Sequence, residues 1–97
     1  MVSLQGEVAD PLGENWFPIK LIDLSLGGLG FLSNHQIHVG SLRMIRVRLQ
    51  LDDAHVLRAT VRVANCIPHS LFKGYRVGAE FVRLDDAQRE LLAWTAD

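Results

Sequence analysis

Residues 44–51 read Met44-Ile45-Arg46-Val47-Arg48-Leu49-Gln50-Leu51, and residues 57–63 answer them with Leu57-Arg58-Ala59-Thr60-Val61-Arg62-Val63. In the first run Ile45, Val47, Leu49 and Leu51 fall on one side, with Arg46, Arg48 and Gln50 on the other. In the second, Leu57, Ala59, Val61 and Val63 oppose Arg58, Thr60 and Arg62. Successive strand side chains point to opposite faces, so period-two alternation on both arms, turned through Asp52-Asp53, predicts a half-buried antiparallel hairpin. One face belongs to a core and the other to water. The arginines on the wet face read as a solvated, aggregation-resistant strand surface.

The flanking sequence continues in the same way. Val2–Val8 predicts a first strand. Asp10-Pro11-Leu12-Gly13 supplies a turn, proline setting φ and glycine admitting a positive one. Trp16–Leu24 predicts a second strand and Leu29–Ser33 a third, separated by Gly27-Gly28. Tyr75–Val82 predicts the last strand, with Val77, Ala79 and Phe81 inward and Gly78 and Glu80 outward. The period then changes. Leu84, Ala87, Leu91 and Trp94 recur at helical spacing, Asp85 is placed to cap the helix, and Gln88 completes a capping box. Five or six short strands and one terminal helix, about residues 85–95, predict an all-β fold: a small, closed or nearly closed barrel.

Composition sets the outer limits. The chain has 97 residues, 48% hydrophobic and 22% charged, which fits one globular domain over residues 1–97. Its formal net charge of -1 gives no global field for nucleic acid or an anionic membrane. The lone Cys66 excludes an internal disulfide framework and fits a reducing, cytoplasmic compartment. No signal pattern and no membrane-spanning apolar run is present.

Catalysis and metal binding find no support. Ser25 has no histidine base beside it in any recognisable pattern, and Cys66, without adjacent cations, reads as a small core residue. His35 and His38 lie in a loop without a Cys or carboxylate cluster, and His55 and His69 stand alone in turns, so neither a metal nor a cofactor is expected. Phe17, Phe31, Phe81 and Trp94 read as core. Leu71-Phe72, apolar in an otherwise polar loop, reads either as a partner contact or as a loop folding back on the barrel.

One segment invites a ligand: Leu21-Ile22-Asp23-Leu24-Ser25-Leu26-Gly27-Gly28-Leu29-Gly30-Phe31. Asp23 and Ser25, two apart at a strand end, emerge on one face, and the glycines leave backbone amides approachable. An acceptor, a hydroxyl and free amides can read the donor edge of a base and a neighbouring phosphate. The same residues can equally do no more than cap their own turn. Arg76, beside Gly78, is the best placed cation for a phosphate contact.

The segment resembles the Asp/Asn-x-Ser-x-x-Gly motif of PilZ domains, with Asp23, Ser25 and Gly28 at the motif positions. Tyr75-Arg76-Val77-Gly78-Ala79-Glu80-Phe81 is similar to that family's final barrel strand, and the terminal helix falls where PilZ domains place theirs. The resemblance covers the chain from Trp16 onward. It implies a six-stranded antiparallel PilZ-type barrel with one C-terminal helix and no catalytic activity. It also implies a bacterial regulatory domain that senses cyclic di-GMP and signals to a protein partner, for instance in motility, pilus, exopolysaccharide or virulence machinery.

The family's second ligand motif, Arg-x-x-x-Arg, precedes the first strand, and here no arginine precedes Arg43. The pair would fall at Met1 or just upstream, so two readings stand: a domain that never carried the arginines, or a receptor whose arginines lie upstream. Two lost charge-assisted hydrogen bonds remove about 3–6 kcal/mol. That corresponds to roughly two to four decades of affinity, so cyclic di-GMP binding by this chain is expected to be weak or absent. A third reading, a small-barrel nucleic-acid binder, is disfavoured by the near-neutral charge and the lack of interleaved aromatics.

Overall fold

The alternating runs build the barrel wall. In the computed structural model, which describes residues 4–49, 55–71 and 73–95, six strands and one helix follow in order. They are β1 (Leu4–Ala9), β2 (Trp16–Leu24), β3 (Gly28–Ser33), β4 (Leu42–Arg48), β5 (Val56–Pro68), β6 (Tyr75–Arg83) and α1 (Asp86–Thr95). All pairings are antiparallel and the strands close in the order β1-β2-β3-β6-β5-β4. Closure leaves no free sheet edge.

Burial follows the predicted faces. Ile45, Val47 and Leu49 point inward from one arm of the hairpin, and Leu57, Ala59, Val61 and Val63 from the other. Val8, Ile19, Leu21, Phe31, Val77 and Ala79 complete the barrel interior, and Ile37 closes on it from the loop after β3. Phe17 and Phe81 are only half-buried against this core, and Cys66 likewise. The Cys66 sulfur accepts the Ile37 amide at 3.5 Å.

Several boundaries differ from the sequence reading. β1 runs on to Ala9, and β4 starts two residues before Met44 and ends at Arg48. Gln50, Leu51 and the Asp52-Asp53 turn lie outside the described residues. The early start puts Arg43 in the inward row, where a guanidinium nitrogen donates to the Ala9 carbonyl at 3.3 Å. β5 continues beyond Val63 to Pro68, because an irregularity between Val63 and Asn65 restores its pairing with β6 after the hydrophobic alternation has lapsed.

The helix is capped as predicted: Asp85 Oδ1 accepts the Gln88 amide at 2.7 Å, and Gln88 Oε1 accepts the Asp85 amide at 2.8 Å. Its docking face is a correction. Leu92 is buried, Leu84 and Leu91 are half-buried and Ala87 is exposed, while the Trp94 side chain lies outside what is described. The helix is anchored on β5, where the Gln88 side chain also donates through Nε2 to the Arg58 carbonyl. Among the described residues no helix is long and apolar enough to cross a membrane.

Candidate functional site

The predicted ligand segment forms the end of β2, the turn that follows and the start of β3. A register shift between Leu21 and Asp23 breaks the β2–β3 ladder just before the motif. The matching irregularity in β5 stands across the sheet. Between them the ladder aligns four residues in one row, Asp23 opposite Gly30, Gly30 opposite Gly78, and Gly78 opposite Asn65. Two adjacent strands thus lack a side chain at the same level. Polar side chains flank the gap on both sides.

This row floors an open groove of about 710 Å³. Asp23, Ser25, Gly28 and Arg76, the four residues singled out in the sequence, all line it, together with Asn65, Ile67, Gly78 and Glu80. The structure therefore brings the four together in space. Sequence reasoning missed Asn65, whose Oδ1 accepts the Gly78 amide at 3.0 Å. Its one signal was a polar residue two positions past Val63, where the alternation would place an apolar one. A Cβ on Gly78 would lie 2.8 Å from Asn65 Nδ2, so a side chain there would push the Asn65 amide out of this contact.

The turn itself is held by its own groups. The Ser25 amide donates to the Gly28 carbonyl at 2.9 Å, and Ser25 Oγ receives the Gly27 and Gly28 amides at 3.3 Å each. The two glycine amides expected to approach a ligand are turned to that hydroxyl instead. The Phe81 amide donates to the Gly27 carbonyl at 3.0 Å, which pins the turn to β6. Ser25 thus works as a turn organiser, while Asp23 and Arg76 stay exposed on the groove.

The hairpin arginines do not serve this groove. Arg62 pairs in register with Glu80 but is not part of the lining. Arg46 lies on the wall formed by β1 and β4, across the barrel from β3 and β6. Arg46 grips Glu7 through two hydrogen bonds of 2.8 and 3.0 Å and lies 4.1 Å above the Trp16 ring. The hydrogen bond from Arg46 holds the Glu7 carboxyl below the usual range against the cost of desolvation, helped by the charges of Arg46 and Arg48.

Elsewhere the His35 ring tilts against Phe17 at 4.7 Å, and among the described residues no three His, Cys, Asp or Glu side chains are grouped to hold a metal. Leu71 is 89% exposed and does not fold back on the barrel, and Phe72 lies outside the described residues.

The sequence pattern of the PilZ domain matches residues 2–96. The fold is similar to the inhibitor of motility MotI (DgrA) of Bacillus subtilis, with a TM-score of 0.79 at 14% identity, over 98% of this chain and 46% of that one. It is similar too to the PilZ domain of YcgR from Escherichia coli, a structure with cyclic di-GMP, with a TM-score of 0.71 at 16% identity over 94% and 76% of the two chains. This chain thus spans less than half of the MotI chain. No curated protein matches its sequence.

Proposed function

This chain belongs to the PilZ domain family, and from that membership we propose that it is a non-catalytic, cytoplasmic regulatory module that acts through contact with a protein partner in a bacterial signalling or motility system, with cyclic di-GMP binding weak or absent. The observation that carries the reading is the charge of the groove. Its lining holds one cation, Arg76, against two carboxylates, Asp23 and Glu80. A ligand with two phosphodiesters meets a net negative wall there. Without further arginines the deficit is the roughly 3–6 kcal/mol of two charge-assisted hydrogen bonds.

A second reading, a receptor whose arginine pair lies upstream of residue 1, is favoured by one feature. The paired glycines Gly30 and Gly78 give a flat backbone floor, with Ile67 beside it, on which a planar base would rest. Titrating cyclic di-GMP into this chain, and into a version carrying native upstream residues, separates the two while amide shifts are followed around Asp23–Gly30. We expect no saturable binding by the short chain at micromolar ligand. Micromolar binding by it would overturn the adaptor reading, and binding by the longer chain alone would establish the receptor. Binding that survives Asp23→Ala with Ser25→Ala would move the site elsewhere.

A further inference from the structure

The outer face of β1, β4 and β5 carries a second concavity, of about 460 Å³, lined by Glu7, Arg46, Arg48, Val56 and Arg58. Its charges are arranged at a cost to the fold. Arg46 and Arg58 are direct cross-strand partners, and like charges so placed repel. Arg48 follows Arg46 on the same face of β4, opposite Val56. One carboxylate answers three guanidinium groups. Glu7 is spent on Arg46, and among the described residues neither Arg48 nor Arg58 has an ion-pair partner.

The arrangement is also preorganised. Arg46 is fixed edge-on by Glu7 and face-on by Trp16, so its remaining N–H donors keep their direction without a ligand. All three arginines stand on paired strands rather than loops, which holds their spacing. Planar guanidinium forks match the oxygens of a phosphate, and a lining with a net excess of two positive charges matches a dianion. The hollow is compact and none of its lining residues is aromatic, whereas single-stranded nucleic acid needs an extended cationic track with several stacking rings.

We infer that this face is a binding site for a compact phosphate-bearing anion, gripped by Arg48 and Arg58 with Arg46 as the fixed third contact. The site shares β5 with the glycine-floored groove but no lining residue, and does not depend on that groove's ligand. Because the anion neutralises the Arg46–Arg58 repulsion, occupancy raises the stability of the sheet.

The test is a titration of inorganic pyrophosphate into the whole chain at constant ionic strength, with chloride as the balancing anion. Amide and indole NMR shifts report binding and thermal melting reports stability. Saturable shifts confined to residues 5–8, 16, 45–49 and 55–59 are expected, with a rise in Tm. R48Q and R58Q should each weaken binding severalfold, and the double variant by at least about tenfold. R62Q, and D23A with S25A, should leave it unchanged. Without ligand, R58Q should melt at or above the parent temperature, since it removes the repulsion. Vesicles of equal phosphatidylcholine and phosphatidylglycerol form a second arm. Pyrophosphate binding without sedimentation on vesicles assigns a free phosphate compound. Both together, lost together in the double variant, assign a phosphate headgroup. Shifts that never saturate, that chloride reproduces, or that survive in R48Q/R58Q overturn the site, as does sedimentation on vesicles without pyrophosphate binding.

Discussion

Gly28 ends the Asp23–Gly28 motif, and the barrel itself demands it there. A Cβ at that position would lie 2.2 Å from the Ala79 carbonyl oxygen and 3.1 Å from the Glu80 Cα, backbone atoms of β6 that cannot turn aside. Gly27, one residue earlier, has only Ser25 Oγ within 4 Å of the same construction, at 3.9 Å. Gly28→Ala should therefore cost at least about 3 kcal/mol, the upper end for forcing extra volume into a packed site. Gly27→Ala should stay within about 0.5 kcal/mol of the parent, as surface substitutions usually do. Urea denaturation of both variants checks this, and equal losses would show that the turn, not the β3–β6 approach, needs the glycine. A motif glycine can thus mark a close strand contact before it marks a ligand.

Among the elements, the helix shows how far local chemistry reads through to structure. The Asp85–Gln88 capping box is legible because it needs only residues four positions long in sequence to satisfy one another. The docking face was not legible. Leu91 and Leu92 are neighbours, and which of them is buried depends on the angle at which α1 meets β5, a tertiary choice that periodicity does not encode. The strands divide in the same way. Period-two alternation placed β4 and the first half of β5, but the half of β5 after Val63 is held by an irregular pairing that leaves no regular pattern. Asn65 was missed for that reason, while Asp23, Ser25, Gly28 and Arg76 were found because they sit close to a motif or a strand with clear alternation. Asp85→Ala should cost about 0.5–2 kcal/mol. Since α1 rests chiefly on β5, the loss should appear as reduced ellipticity at 222 nm while the barrel's own melting hardly moves. A fall in barrel Tm with unchanged helicity would contradict this.

For the molecule as a whole, closure rests on the shortest strand pairing among the described residues. β1 and β4 meet over Gly6–Val47, Glu7–Arg46 and Val8–Ile45, whereas β4 and β5 pair from Leu42–Arg62 through to Arg48–Val56. The Glu7–Arg46 pair, with Trp16 under it, straddles this short junction. Local opening starts where few interactions must break at once. In native-state hydrogen exchange the amides bridging β1 and β4 should therefore exchange before those bridging β4 and β5. Glu7→Gln should accelerate the first set by up to about fivefold, the worth of an exposed ion pair, and leave the second set unchanged. Uniform acceleration would mean that the barrel opens only as a unit. The short junction has a further consequence. When it parts, the two newly bare strands are complementary to each other, and the same strands of a second copy offer the same complement. β1 of one chain, still paired to its own β2, can then lie along β4 of another, with the ion pair at the junction setting how seldom that edge pairing occurs.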